Sequence, residues 1–270
     1  MLKLFYITND PNVALVAEEC GVERIFVDME YLGKEERQPK MNTVKSNHKI
    51  EDVKALRAVL TKAELLVRVN PINPNSEKEI NEVIDAGADV IMLPMWKTAD
   101  DVKTFFNYVN GRVKTILLLE NEDARNSLDE VLKLSGIDEI HIGLNDLHLS
   151  QGKKFLFEPL VDGTVDEIAK KLRINNVTFG IGGIGAVSVD APLPAKKIIA
   201  EHYRLGSTMA ILSRAFCNTN NYNNLEALKA DFSKRLKENR NFEKSLENKG
   251  AEYFEENRKI TKQIVKRIVG

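Results

Sequence analysis

Charged side chains that follow directly on apolar runs are the first candidates for chemistry, because a charge at the end of a buried strand is costly unless it is paired or holds a ligand. Four segments have this form: Val27-Asp28-Met29-Glu30-Tyr31, Val67-Arg68-Val69-Asn70-Pro71, Leu118-Leu119-Glu120-Asn121 and Ile142-Gly143-Leu144-Asn145-Asp146-Leu147. Glu120 is the most conspicuous, since it follows Ile116-Leu117-Leu118-Leu119 with no polar residue between. Glu120 and Asp146 offer only carboxylate oxygens, a donor set that suits Mg²⁺ or Mn²⁺ and not a thiolate-seeking metal. Two protein carboxylates also leave coordination positions open for water and substrate. Arg68 would then supply a fixed, forked cation for a developing oxyanion. A second reading stays open on the same residues: Arg68, Glu120 and Asp146 form a buried ion network with no metal.

Such groups need a scaffold that brings several strand ends to one rim. Short runs rich in Val, Ile and Leu recur at 2–8, 24–28, 65–69, 90–94, 115–120, 139–143, 177–181 and 209–213. Continuous apolar runs suit strands buried on both faces. Helical segments lie between them. Residues 11–20 end at Gly21, a C-cap, and 76–86 open with the capping-box pair Ser76 and Glu79 and stop at Gly87. Residues 98–110 stop at Gly111, and 121–135 stop at Gly136. Strand followed by helix, repeated in this way, predicts a parallel sheet closed into a (β/α)8 TIM barrel of the α/β class, with an open doubly wound sheet as the alternative. The barrel is expected over 1–220 and a C-terminal helical extension over 221–270, which either caps the barrel's end or packs on a neighbouring subunit. In barrel enzymes the reacting groups sit at the C-terminal ends of the strands, where the four segments above fall.

Composition narrows the function classes. A chain of 270 residues with 43% hydrophobic and 29% charged residues is globular. Its net charge of -1 gives no field that draws it to nucleic acid or an anionic membrane. Cys20 and Cys217 match no metal or redox spacing, which fits a reduced cytoplasmic protein. The N-terminal residues lack the pattern of a signal peptide, and no apolar run is long enough to span a bilayer.

The motifs, taken in order, resemble the HpcH/HpaI aldolase and citrate lyase family. The residues that carry the resemblance are Phe26-Val27-Asp28-Met29-Glu30, Val67-Arg68-Val69-Asn70, Asp85-Ala86-Gly87-Ala88-Asp89-Val90-Ile91-Met92-Leu93-Pro94-Met95, Leu119-Glu120-Asn121-Glu122-Asp123-Ala124 and Ile142-Gly143-Leu144-Asn145-Asp146-Leu147. The resemblance implies a metal-dependent barrel lyase that makes or breaks a carbon–carbon bond beside a carbonyl, on pyruvate or a related small oxo acid. It implies Mg²⁺ or Mn²⁺ on Glu120 and Asp146, Arg68 at the enolate oxygen, and backbone groups of Gly143, Leu144, Asn145 and Asp146 around the substrate carboxylate. It also implies a homo-oligomer, a trimer or hexamer, with swapped terminal helices.

One position departs from the pattern. Where the aldolase branch carries a general-base His, this chain has Tyr31, a poor base at neutral pH with its ordinary pKa near 10. Tyr31 is therefore expected to bind substrate. Asp28 or Glu30 would orient other groups, and His48 or His148 could reach the rim. The departure leaves three readings open: an aldolase, a citrate-lyase-like enzyme acting on acyl-thioesters, or a non-catalytic barrel used for binding or assembly. A kinase-like or synthase-like member of the wider phosphoenolpyruvate-binding barrels is a further alternative. Gly180-Ile181-Gly182-Gly183-Ile184-Gly185 has the spacing of a dinucleotide loop, but no helix opens after it, so it is read as a strand end that leaves room for substrate. Ser213-Arg214 could bind an anion, Lys34 to Gln38 reads as a solvated loop, and Trp96 either floors the site or packs.

Overall fold

The computed structural model describes residues 1–33, 48–213 and 216–270. Lys34 to Gln38 and Arg214 lie outside the described residues. The eight apolar runs form β1 (Lys3–Ile7), β2 (Arg24–Asp28), β3 (Glu64–Arg68), β4 (Val90–Leu93), β5 (Lys114–Leu119), β6 (Glu139–Ile142), β7 (Thr178–Ile184) and β8 (Met209–Leu212). All neighbours are parallel and follow chain order, and β8 pairs with β1, which closes the barrel.

Local chemistry sets some helix boundaries as expected, while the helix expected over 121–135 ends already at Val131. Helix α1 (Pro11–Cys20) starts where Asp10 Oδ1 accepts from the N–H of Asn12 at 2.8 Å, and it ends at Gly21 with φ 97°. After α2 (Ile50–Val59) comes α3 (Ser76–Asp85), which differs from expectation. Ser76 and Glu79 do not form a capping box. Asn75 is the cap position, Ser76 Oγ accepts from Asn73 N at 2.9 Å, and Glu79 Oε1 accepts from Asn70 Nδ2 at 2.8 Å. Glu79 is thereby spent on fixing the loop after β3. Helices α4 (Ala99–Val109) and α5 (Glu122–Val131) follow β4 and β5. Three helices follow β6: α6 (Leu144–Ser150), α7 (Glu158–Val161) and α8 (Thr164–Ile174). Helix α9 (Ala195–Leu205) follows β7.

The tail after β8 is two helices, α10 (Leu225–Leu246) and α11 (Ala251–Val269). They divide the work. Helix α10 packs between α9 and α1, the place of the eighth helix of the ring, so the barrel continues past residue 220. Glu243 of α10 accepts from the Leu2 N–H at 2.6 Å, and Arg240 donates to the Leu2 carbonyl at 2.6 Å. Helix α11 lies outside that ring, against α9 and α7.

Two apolar layers hold the fold. One lies between strands and helices, and the other fills the barrel with Phe5, Phe26, Leu66, Met92, Ile116 and Leu118 among others. Along each strand alternate residues face inward. On β2 the inward set runs Arg24, Phe26, Asp28; on β3 it runs Glu64, Leu66, Arg68. The barrel interior is thus a hydrophobic plug between two charged ends.

Candidate active site

The C-terminal end of the barrel opens into a cavity of about 890 Å³. Its charged lining comes from β2, β3, β5 and α6. Asp28 and Arg68 are register partners on adjacent strands, so their side chains leave the sheet side by side. Arg68 Nε donates to Asp28 Oδ1 and Nη2 to Oδ2, both at 2.8 Å, and Nη2 is also 3.4 Å from Glu30 Oε2. This fork fixes the guanidinium plane. Burial works against its charge, but Asp28, Glu30 and Glu120 outweigh burial and keep Arg68 firmly protonated. Among the described residues no hydrogen bond engages Nη1, and Arg68 borders the cavity.

Glu120 follows β5 and is 3% exposed. Its Oε1 accepts from the Met95 N–H at 3.1 Å. Met95 holds φ at 50°, in the left-handed region that non-glycine residues rarely enter. That conformation is kept where it aims a donor at a buried acid. The Glu120 carboxyl is pushed well above the ordinary carboxylate range, chiefly by burial, then by Glu30 and Asp146, against the pull of Arg68. The turn from β6 into α6 passes directly over it. A Cβ on Gly143 would stand 2.8 Å from Glu120 Cβ and 3.1 Å from Oε2, so glycine is required there. Gly143, Leu144, Asn145 and Asp146 all border the cavity. The N–H of Gly143 itself is spent on the Leu119 carbonyl at 2.9 Å.

His48 also borders the cavity, on the same side. Its Nδ1 accepts from the Asp28 N–H at 3.0 Å, so in the neutral ring the proton sits on Nε2. His48 is thereby tied through Nδ1 to the backbone of β2. His148 is 3% exposed, its Nδ1 lies 3.3 Å from the Leu144 carbonyl inside α6, and it does not border the cavity. Tyr31 is not brought in either. It is 69% exposed and absent from the cavity wall. Its backbone N–H is tied to Asn70 Oδ1 at 3.0 Å. Trp96 packs at 1% exposure without bordering the cavity.

Glu30 has the orienting role expected of it, whereas His141 is a residue of the cavity wall to which the sequence pattern gave no role. Glu30, 2% exposed, completes the clamp on Arg68 and raises Glu120. His141 is wholly buried at the cavity floor, its Nε2 3.1 Å from the Gly182 carbonyl. Burial lowers its pKa to about 4, so it is a neutral ring at ordinary pH. Alternation on β6 could have pointed to it, since Glu139, His141 and Gly143 share one face. A Cβ on Gly180 would lie 2.4 Å from His141 Nδ1. His141 thus takes the room at Gly180, while Gly182, Gly183 and Gly185 at the end of the same strand border the cavity.

A hard cation fits this donor set. Among the described residues no three His, Cys, Asp or Glu side chains form a metal cage by themselves. The buried Glu120, with Asp146 close enough to raise it, has the chemistry of an acid that gains from a cation at its side.

A closed parallel barrel with an acidic, arginine-bearing cavity at its C-terminal rim has the architecture of a (β/α)8 enzyme. Residues 2–156, more than half of the chain, match the family model described as HpcH/HpaI aldolase/citrate lyase, and the chain belongs to that family. No curated protein matches it. Among solved structures it is similar to an HpcH/HpaI aldolase from Desulfitobacterium hafniense DCB-2, at 15% identity over 93% of this chain and 94% of that one, with a TM-score of 0.62. It is also similar to an HpcH/HpaI aldolase/citrate lyase family protein from Burkholderia cenocepacia J2315 (16% identity, 78% and 88% covered, TM-score 0.59) and to the citrate synthase SbnG (18%, 86% and 92%, 0.59). At these identities the similar structures establish the fold, and family membership makes this a lyase-type barrel.

Proposed function

We propose that the protein is a divalent-metal-dependent carbon–carbon lyase, of aldolase or citrate-lyase type, acting on a small oxo acid or hydroxy acid by way of its enolate. The observation that carries this is one rim holding both a buried acid whose carboxyl is disfavoured as an anion, Glu120, and an arginine clamped by two carboxylates, Arg68. Glu120 and Asp146 would hold Mg²⁺ or Mn²⁺, which when bound supplies Lewis-acid polarisation of a keto oxygen. Arg68 offers its Nη1 donors to the oxygen on which negative charge develops as the carbon–carbon bond breaks. Asp28 and Glu30 hold that guanidinium in place, so no reorganisation is needed as the charge appears. His48, held through Nδ1 by the Asp28 N–H, borders the cavity and would contact substrate there. Backbone N–H groups of Leu144, Asn145 and Asp146, in the first turn of α6, suit a substrate carboxylate.

The test is proton exchange at the pyruvate methyl group in D2O with Mn²⁺, followed by NMR. Exchange is expected, with loss on adding EDTA and loss of Mn²⁺ affinity in Glu120→Ala. Unchanged Mn²⁺ affinity in that variant would sink the metal assignment. A second reading, a barrel used for binding or assembly, draws on Tyr31 lying outside the cavity and on the engaged Nδ1 of His48. It is favoured if a panel of oxo acids and acyl-thioesters shows no exchange at all.

A further inference from the structure

The cavity is not uniform around the barrel. Asp28, Glu30, Arg68, Glu120 and Asp146 line the arc from β2 to the start of α6. Among the described residues the remaining arc, from β7 through β8 to β1, brings no charged side chain to the wall. The part of it after β7, with the segment before α7, is mainly hydrocarbon, Leu156, Phe157, Val189, Ala191, Leu193 and Ile198, while the ends of β8 and β1 add the uncharged polar Thr8, Asn9, Ser213, Asn218 and Thr219. A three-carbon oxo acid placed at Arg68 and Glu120 would fill a small part of about 890 Å³, a volume in the range that takes drug-sized ligands.

The apolar wall is built, not incidental. Asn239 of α10, wholly buried, accepts from the Val187 N–H at 2.9 Å and donates to the Gly185 carbonyl at 3.0 Å. Val189 N–H closes a turn on the Ala186 carbonyl at 3.1 Å. Pro192 and Pro194 restrict the chain on either side of Leu193. Phe157 is held edge-on by Phe155, ring centres 5.5 Å apart. Leu193 and Ile198 are 3% and 5% exposed, while Val189 and Phe157 are half-buried and border the cavity. Partly exposed apolar side chains on a stiff wall gain when an apolar group covers them.

From this division we infer that the partner of the oxo acid is an aldehyde bearing an uncharged, apolar chain of several carbons, which lies on the arc formed by Val189, Leu193 and Phe157. This deepens, and rests on, the lyase reading above. In the condensing direction the enolate carbon forms a bond to the aldehyde carbon. The electron pair of the aldehyde C=O moves onto its oxygen, which takes up one proton to give the hydroxyl. Cleavage is the reverse. A second carboxylate or a phosphate at the far end of the chain would be desolvated against the hydrocarbon of Val189, Leu193 and Phe157, which selects against it there.

The experiment measures kcat/KM for pyruvate with acetaldehyde, butanal, hexanal and succinic semialdehyde in the presence of Mn²⁺. In parallel, calorimetry follows binding of acetamide, butanamide and hexanamide to the Mn²⁺-loaded protein. Each added methylene is expected to raise kcat/KM and amide affinity about threefold, with succinic semialdehyde at least tenfold below butanal. Val189→Asp should flatten both series, and Val189→Thr should reduce their slope by a smaller factor. A flat amide series, or a preference for the charged aldehyde, overturns the inference whatever the pyruvate exchange assay shows. A rising amide series without pyruvate exchange keeps the apolar subsite and instead overturns the lyase reading. A slope unchanged in Val189→Asp, with thermal unfolding showing the variant folded, removes the chain from this arc and overturns the assignment.

Discussion

The two ends of the barrel are built from similar parts. At the N-terminal end Arg24 is wholly buried, donates Nη2 to Glu139 Oε1 at 2.9 Å and Nε to Glu64 Oε2 at 2.6 Å, and stacks over the Phe5 ring at 4.9 Å. Lys114 adds a bond to Glu64 at 2.6 Å, and Lys3 lies 3.5 Å from Glu64 and 3.8 Å from Glu139. Glu64 and Glu139 are each met by more than one cation. At the C-terminal end Arg68 turns to Asp28 and Glu30, and among the described residues Glu120 has the Met95 N–H as its hydrogen-bond donor. The first end is closed on itself, whereas the second keeps a donor fork and a disfavoured acid facing a cavity. The contrast separates what a charge does for stability from what it does for a ligand, on the same strands and a few residues apart.

Breaking the closed end should have the largest effect. Arg24→Met leaves Glu139 and part of Glu64 buried without their main partner, and loss of one member of a buried pair costs about 3–5 kcal/mol. Denaturant unfolding would measure it; a loss below about 1 kcal/mol would mean that Lys3 and Lys114 suffice and that the network is redundant. The open end should respond with the opposite sign. Glu120→Gln keeps an oxygen for the Met95 N–H but removes a buried charge that its surroundings disfavour. The metal-free variant should gain about 1 kcal/mol while losing Mn²⁺ affinity, read by thermal unfolding with and without the ion. A variant less stable than the parent in EDTA would show that Glu120 is a structural acid and break the contrast.

Much of this was legible in the sequence because a barrel strand is read by its apolar run, and the charges that end those runs mark the rim. Asp28, Arg68, Glu120 and Asp146 stand out that way, and all four border the cavity. What was missed lay in the alternation inside the runs. Arg24-Ile25-Phe26-Val27-Asp28 reads as one buried strand, yet its odd and even positions face different layers, and the same alternation places Glu139 and His141 in the interior. Tyr31 was misplaced for a different reason. Sequence adjacency to Glu30 put it at the rim, but the Tyr31 and Leu32 N–H groups both bond Asn70 Oδ1 at 3.0 Å, a contact between residues 38 and 39 positions apart. The Ser76–Glu79 pair failed likewise, because Glu79 is claimed by Asn70. Local patterns were overridden where a tertiary partner took the same side chain.

Two smaller effects sharpen the comparison further. Burial raises the pKa of Glu64, but Lys114, Arg24 and Lys3 outweigh it and bring it from 4.5 to about 2. A carboxyl depressed in the folded state contributes stability that is fully present above its unfolded value and lost as pH falls through its folded value. Stability should therefore decline between pH 4.5 and about 2, and Glu64→Gln, already less stable at neutral pH, should show a shallower decline. An identical slope in the variant would place the acid sensitivity elsewhere. The least effect is expected at Tyr31, where the chain departs from the family's pattern. Its side chain is 69% exposed and outside the cavity, and the bond that anchors the residue to Asn70 is made by its backbone N–H, which substitution leaves intact. Tyr31→Phe should change unfolding free energy by less than about 0.5 kcal/mol and leave pyruvate exchange within a factor of about two. A large loss of exchange with unchanged stability would bring the phenol into the reaction, against its place in this structure, and would tie the loop after β2 to the catalytic rim.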